Sequence, residues 1–359
     1  MAKSVFQNIL IKGMSIVLGE NKKNIDSEPQ YYGGDTNQLL RLKKNIGFNE
    51  RYWANQNTTT CDLCEAAAKK LLNKLNISVE TLDGIIFVTQ TPDYYMPGNA
   101  HIIHKNLGCN NRTIAMDLEF GCSGYIYGLW TAFMMINSGL KKILLLTGDT
   151  LSKVVNQNDK TEAPLFGDAG SATIIEYSDI GNFSYFVLNS DGCGFSHMLQ
   201  PAGAYRQPSN QYTRKEIEYS KGVIRSLENI YMNGFEIFNF TMTEQPKLLN
   251  EILSFSGASK EDIDYFIFHQ ANTYIVETIM KKSKISPEKC PTKVFSKYGN
   301  QNSASIPSTI CSELSNKLKV GNFRILMQGF GIGLSWGACI TDFRNIICLE
   351  PSIYGEKNV

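Results

Sequence analysis

This chain repeats itself, and the repeat narrows the folds open to it. In the first half, Leu71-Leu-Asn-Lys-Leu75 is followed by Leu82-Asp-Gly-Ile-Ile-Phe-Val-Thr-Gln90; in the second, Leu248-Leu-Asn-Glu-Ile252 is followed by Ile263-Asp-Tyr-Phe-Ile-Phe-His-Gln270. Each copy reads as an amphipathic helix, a short polar turn and a strand whose apolar residues run unbroken to a polar end. The parallel continues with two short apolar strands, Lys141 to Thr147 and Phe323 to Met327. Each leads through a Gly-rich stretch to a further strand, Gly170 to Glu176 and Gly337 to Asp342. Strands that are apolar at every position belong to sheets covered on both faces, and their alternation with helices means α/β architecture. Two such halves side by side give a layered α-β-α-β-α arrangement, with one half over 1–185 and the other over 186–359. Asn189 to Asn210, rich in Gly, Pro, Ser and Gln, reads as a loop, and the tail from Glu350 onward as a surface extension.

The rest of the composition excludes more than it assigns. A chain of 359 residues can bury a large core, and its formal net charge of +1 gives no global reason to expect nucleic acid or an anionic membrane as partner. Met1 to Leu18 interrupts its apolar residues with Lys3, Gln7, Asn8 and Lys12, unlike a signal peptide. The most apolar internal run, Leu129 to Ile136, is too short to span a bilayer, so a soluble, cytoplasmic protein is expected. Nine cysteines at irregular spacing do not suggest a disulfide framework. Cys61-x-x-Cys64 opens a helical pattern with no second pair and no nearby His, and reads as two buried thiols, so no metal is expected.

Three segments place reactive side chains where strands end, the positions at which open α/β folds build sites. In Asp117-Leu-Glu-Phe-Gly-Cys-Ser-Gly124, glycines flank Cys122 and an apolar helix follows. A Cys at a helix N-terminus meets the positive end of the dipole, which favours the thiolate. In Phe266-Ile-Phe-His-Gln-Ala-Asn272 a strand ends at His269. In Tyr298-Gly-Asn-Gln-Asn-Ser-Ala-Ser-Ile-Pro307, Asn300 precedes another helical stretch. Singly, these read as a Gly-rich turn, a structural His and an Asn cap. Together they suit thioester condensation: Cys122 accepts an acyl group, and His269 and Asn300 donate to the carbonyl oxygen of a second thioester as it becomes an enolate.

With these segments in place the chain resembles the β-ketoacyl-acyl carrier protein synthase III family of the thiolase superfamily. The resemblance rests on Gly121-Cys-Ser-Gly124, Phe166-Gly-Asp-Ala-Gly-Ser-Ala172, Asp191-Gly192 and Met232-x-Gly234. It continues through His269-Gln-Ala-Asn272, Gly299-Asn300 with Ser303-Ala-Ser305, and Gly329-Phe-Gly-Ile-Gly333 with Trp336-Gly337. It implies a five-layered thiolase-like fold and acylation of Cys122 from acyl-CoA or an acyl carrier protein. The thioester oxygen would rest on the backbone N–H groups of Cys122 and of the 331–333 turn, centred on Ile332. Decarboxylative condensation with malonyl-acyl carrier protein, assisted by His269 and Asn300, would follow, in fatty acid or specialised lipid biosynthesis and without a metal or redox cofactor. It further implies a homodimer in which a loop with Met96 at its tip closes the partner's acyl pocket.

The chain departs from the family pattern at several points. In the stretch Arg41 to Phe48 neither the Trp nor the Arg that clamp the CoA adenine in primer-loading members is in place, which favours a carrier-bound or unusual donor. Ile332 replaces a central Gly and is expected to narrow the pocket. Thr273 and Tyr274 stand where an Arg is often found; Lys281, Lys282 and Lys284 are the alternative docking surface for an acidic carrier protein. Neighbouring readings are a non-elongating acyltransferase, an enzyme that joins two acyl chains, and a non-catalytic binding protein on the same fold. A degradative thiolase needs a second Cys between Gly329 and Gly337, where there is none.

Overall fold

The computed structural model describes residues 2–356. Its two main sheets repeat one arrangement. In the first, Gly84–Val88 lies parallel to Lys142–Asp149, which pairs antiparallel with Ala169–Tyr177, which pairs antiparallel with Ile9–Leu18. In the second, Tyr265–Phe268, Asn322–Gly331, Ser335–Arg344 and Phe183–Ser190 follow in the same order with the same directions. The duplication read from apolar runs is therefore a duplication of topology. Ile114–Leu118 extends the first sheet beyond Gly84–Val88.

The layers follow from which faces are apolar. The helix Gly124–Asn137 is apolar nearly all round because it lies between the two sheets, where no side faces water. Tyr125, Ile126, Leu129, Ala132 and Phe133 are fully buried there, and each of the larger ones contributes about 1.5–3 kcal/mol. The short helical run from Ser305 to Leu318 shares this central layer. Thr60–Leu75 covers the outer face of the first sheet, and Gly234–Ser256 with Thr273–Lys282 covers that of the second. This is the expected five-layered order. Cys61 and Cys64 are buried in the first outer helix, and among the described residues no helix is long and apolar enough to cross a membrane.

The divide between residues 185 and 186 needs correction, because it cuts the strand Phe183–Ser190. The halves also exchange their ends. Ala2–Gln7 leaves the first half to pair with Phe183–Ser190 in the second sheet. Ile347–Cys348 and Ser352–Ile353 return to pair with Ile9–Leu18 in the first. The tail read as a surface extension is held at the sheet edge through Ser352–Ile353, since backbone pairing satisfies N–H and C=O groups that would otherwise need water.

Candidate active site

The two central helical segments begin at two turns that face each other, and the reactive groups gather there. Cys122 ends the link from Ile114–Leu118 and sits just before the helix Gly124–Asn137, 6% exposed. Its turn is tied to the turn that ends Asn322–Gly331. The Ser123 and Ser335 hydroxyls are 2.7 Å apart, and Ser335 Oγ donates to the Ile332 carbonyl at 2.8 Å. A Cβ on Gly331 would lie 2.5 Å from Cys122 Cβ and 2.9 Å from Sγ, so only glycine lets the turn pass this close. The Ile332 backbone then bears on the sulfur. Its side chain turns to the cluster of Ile25, Tyr31, Phe48 and Trp53, and Ile332 is not among the residues with positive φ.

The thiolate expected from the helix terminus is not the resting state. Burial pushes the Cys122 thiol up to about 12, with the nearby Asp149 carboxylate adding to it, while the backbone N–H groups of Cys122 and Ile332 pull the other way. A helix terminus supplies about 0.3–1 kcal/mol at an exposed site, less than the desolvation of a fully buried thiolate.

His269 caps the strand Tyr265–Phe268, 1% exposed, with its N–H donating to the Gln328 carbonyl at 2.8 Å. Burial pushes its imidazole down to about 3, with the Asn302 backbone opposing, so the ring is neutral. Its Nδ1 lies 2.7 Å from Ser305 Oγ, which also accepts from the Gln270 N–H at 3.3 Å. In the tautomer in which the Ser305 hydroxyl donates to Nδ1, the imidazole hydrogen lies on Nε2. Nε2 is buried without a hydrogen-bond partner among the described residues. The ring packs edge-on against Phe330, centroids 5.4 Å apart.

Asn300 is fixed by its backbone: N donates to the Leu165 carbonyl at 2.8 Å and O accepts from Gly167 at 3.0 Å. Its Oδ1 accepts from the Asn302 N–H at 2.9 Å, which leaves Nδ2 to donate elsewhere. Cys122, His269 and Asn300 thus all abut the turn 300–305.

The same turn holds residues that the sequence reading passed over. Cys122 Sγ donates to Asn302 Oδ1 at 3.0 Å, and Asn302 Nδ2 donates to Gln90 Oε1 at 3.3 Å. Asp149, fully buried, accepts from Gln90 N at 2.8 Å and from Ser303 Oγ at 2.6 Å; burial pushes its carboxyl up to about 7. Gln90 lies two residues past the end of the strand Gly84–Val88, as Gln270 lies two past Phe268, and that position was the available signal.

Other expected residues lie elsewhere. Lys281 and Lys282 are exposed at the C-terminal end of the helix Thr273–Lys282, a helix length of about 15 Å from its His269 end, with Lys284 just beyond. Lys281 pairs with Glu277 at 3.2 Å. Met96, 73% exposed, sits beside the exposed Tyr94 and Tyr95, outside the cluster around Cys122.

Residues 116–192 match the family described as 3-Oxoacyl-[acyl-carrier-protein (ACP)] synthase III, and residues 253–343 match its C-terminal family. The chain is 34% identical over 300 residues to the β-ketoacyl-[acyl-carrier-protein] synthase III of Caldanaerobacter subterraneus, covering 82% of this chain and 86% of that protein. It belongs to the synthase III family. A Campylobacter jejuni protein described as a "putative 3-oxoacyl-[acyl-carrier-protein] synthase 3" is 39% identical and covers 99% of both chains. The crystal structure of a 3-oxoacyl-(acyl-carrier protein) synthase from Burkholderia xenovorans superposes with a TM-score of 0.91 at 33% identity, covering 98% of this chain and 99% of that one. A synthase III family member is an acyl-transferring condensing enzyme of thiolase fold, and the two matched segments carry Cys122 in one and His269 and Asn300 in the other.

Proposed function

We propose that this enzyme loads an acyl group on Cys122 and condenses it with malonyl-acyl carrier protein, and that Cys122, His269 and Asn300 are its catalytic residues. The observation that carries the reading is the neutral His269 with a bare Nε2, fixed on the same turn that receives Cys122 Sγ. In the first step the Cys122 sulfur attacks the donor thioester carbonyl. The oxyanion is received by the N–H groups of Cys122 and Ile332, and the donor thiol leaves with the proton. In the second, malonyl thioester loses carbon dioxide. His269 Nε2–H and Asn300 Nδ2 donate to the enolate oxygen, and its carbon attacks the Cys122 thioester. The C–S bond breaks, a β-ketoacyl thioester forms, and the released Cys122 sulfur takes up a proton from solvent to restore the thiol. One oxyanion donor supplies roughly 2.7–4 kcal/mol of barrier. No residue in this scheme calls for a metal or redox cofactor.

A carrier-bound acyl donor suits the segment 41–48, which has no Trp and whose one aromatic, Phe48, is buried away from a ligand. The acyl carrier protein would dock near Lys281, Lys282 and Lys284. A homodimer suits the open edge of Ile114–Leu118, where Ile114 is 43% exposed, and the loop that holds Tyr94, Tyr95 and Met96 out to solvent. Met96 would close the second copy's acyl pocket. All nine cysteines are unpaired, which suits a reducing cytoplasm.

The test is intact mass after incubation with acyl-CoA and acyl-carrier donors. Wild type gains one acyl group that Cys122→Ala does not gain; His269→Ala and Asn300→Ala still acylate but stop releasing carbon dioxide from malonyl-acyl carrier protein. Equal labelling of wild type and Cys122→Ala overturns the nucleophile, and normal decarboxylation by His269→Ala overturns the second step.

A further inference from the structure

Cys122 has a partner that the condensation scheme leaves unused. Its Sγ lies 3.0 Å from Asn302 Oδ1, across 180 residues of sequence. Asn302 is 1% exposed and held in the left-handed region at φ +49. That conformation suits Asn, whose N–H here donates to Asn300 Oδ1 at 2.9 Å. Its Nδ2 donates to Gln90 Oε1 at 3.3 Å, so the carbonyl end of the amide is turned to the sulfur. The reverse orientation would set the Asn302 and Gln90 carbonyl oxygens against each other. Gln90 is held in turn by its own N–H on Asp149.

Room for this pair comes from Gly121. A Cβ there would fall 2.1 Å from Gln90 Oε1 and 2.9 Å from Asn302 Oδ1. Gly121, Gln90 and Asn302 are therefore one unit: the first leaves the space, the second orients the amide and the third meets the thiol.

We propose that Asn302, oriented by Gln90, is the resting-state acceptor of the Cys122 thiol hydrogen, holding the nucleophile in one rotamer and in its protonated form until an acyl donor arrives. The inference rests on Cys122 being the nucleophile. A hydrogen bond made by the neutral thiol disfavours ionisation. Acylation removes the sulfur's hydrogen, so the bond must break as the thioester forms. Asn302 touches the reacting atom; Gln90 acts through it as a positioning residue.

The charged groups around Cys122 are few. Asp149 reaches it from the end of Lys142–Asp149, His269 stands neutral on the same turn, and Glu119 on its own link is exposed. Tyr125 on the following helix bonds to Thr173, and residues 329–335 carry no ionisable side chain.

The test is the rate of Cys122 alkylation by iodoacetamide at pH 8, read by peptide mass, which needs no acyl donor and so separates failure here from failure of the condensing function. Asn302→Gly keeps the left-handed backbone and removes the acceptor. A thiol hydrogen bond of ordinary strength makes alkylation about 3- to 10-fold faster in that variant. Asn302→Asp, equal in size and so equal in access, places an anion on the sulfur and slows alkylation at least as much. Gln90→Met, which cannot hold Nδ2, gives a smaller rise. An unchanged rate in Asn302→Gly, or an Asn302→Asp variant as fast as wild type, overturns the proposal; should either fail to fold, Gln90→Met decides by the same sign.

Discussion

Gly331→Ala tests whether the oxyanion turn is positioned by contact with the nucleophile. The added Cβ would stand 2.5 Å from Cys122 Cβ and 2.9 Å from Sγ. Carbon atoms in contact settle at about 3.5–4.0 Å, so the two turns must part by about 1 Å. Neither side yields easily. Gly331 is paired with Ser335 at the end of its strand, and Ser335 in turn is held to Ser123 and to the Ile332 carbonyl. Overpacking of this kind costs about 1–3 kcal/mol of stability. The larger effect falls on chemistry, since the Ile332 N–H moves with the turn, and a displacement near 1 Å can lower rates by about 10²-fold. Single-turnover acylation of Cys122 followed by intact mass reads the rate, and urea unfolding reads stability. Acylation within about 3-fold of wild type, in a variant of unchanged urea midpoint, would refute the close-contact reasoning.

Four further outcomes follow from the site and its supports. Ser305→Ala removes the hydroxyl that fixes His269 Nδ1 at 2.7 Å; decarboxylation of malonyl thioester falls about 10-fold while Cys122 acylation holds, and equal losses in both would count against the tautomer argument. Burial pushes the Asp149 carboxyl up to about 7 from 3.8, so folding favours its protonated form, and its contribution to stability is present below about pH 4 and lost as pH rises to 7. Urea unfolding at pH 5 and pH 8 therefore shows a drop that shrinks by about 2–3 kcal/mol in Asp149→Asn; an undiminished drop refutes the assignment. Arg51, 2% exposed, holds Glu28 through both Nη atoms at 2.7 and 2.9 Å and lies over Trp53. Arg51→Ala costs about 3–5 kcal/mol by stranding Glu28, much of it recovered in Arg51→Met with Glu28→Gln; no recovery in thermal or urea unfolding would point to packing instead. Met96→Trp, placed in a chain that also carries Cys122→Ala and co-assembled with wild-type chains, alters which acyl lengths load the wild-type Cys122; an unaltered acyl panel removes the loop from the partner's pocket.

Much of this was legible because apolar runs and polar strand ends are local signals. Three strands in each half announced themselves by uninterrupted apolar runs, and Cys122, His269 and Asn300 stood at strand or turn ends where a reader looks for chemistry. The exchanged ends were not legible. Ala2–Gln7 has only Val5 and Phe6 as large apolar residues, with Phe6 alone buried, and nothing local says which sheet such a segment will join. The thiolate expectation failed on magnitude, because a dipole term that is real at the surface is outweighed once the sulfur loses its water. Asn302 and Gln90 were hidden for another reason. An Asn in an Asn/Ser turn already has an explanation as a turn former, and a Gln at a strand end has one as a hydrogen-bonder, so neither asks for more until Cys122 is set beside them. The duplication shows where to look for such residues. The turns that open the two central helical segments face each other, so a small residue in one turn, Gly121, is matched by a larger one in the other, Asn302. Space released on one side is filled from the other, and only the pair, read across the fold, has chemical meaning.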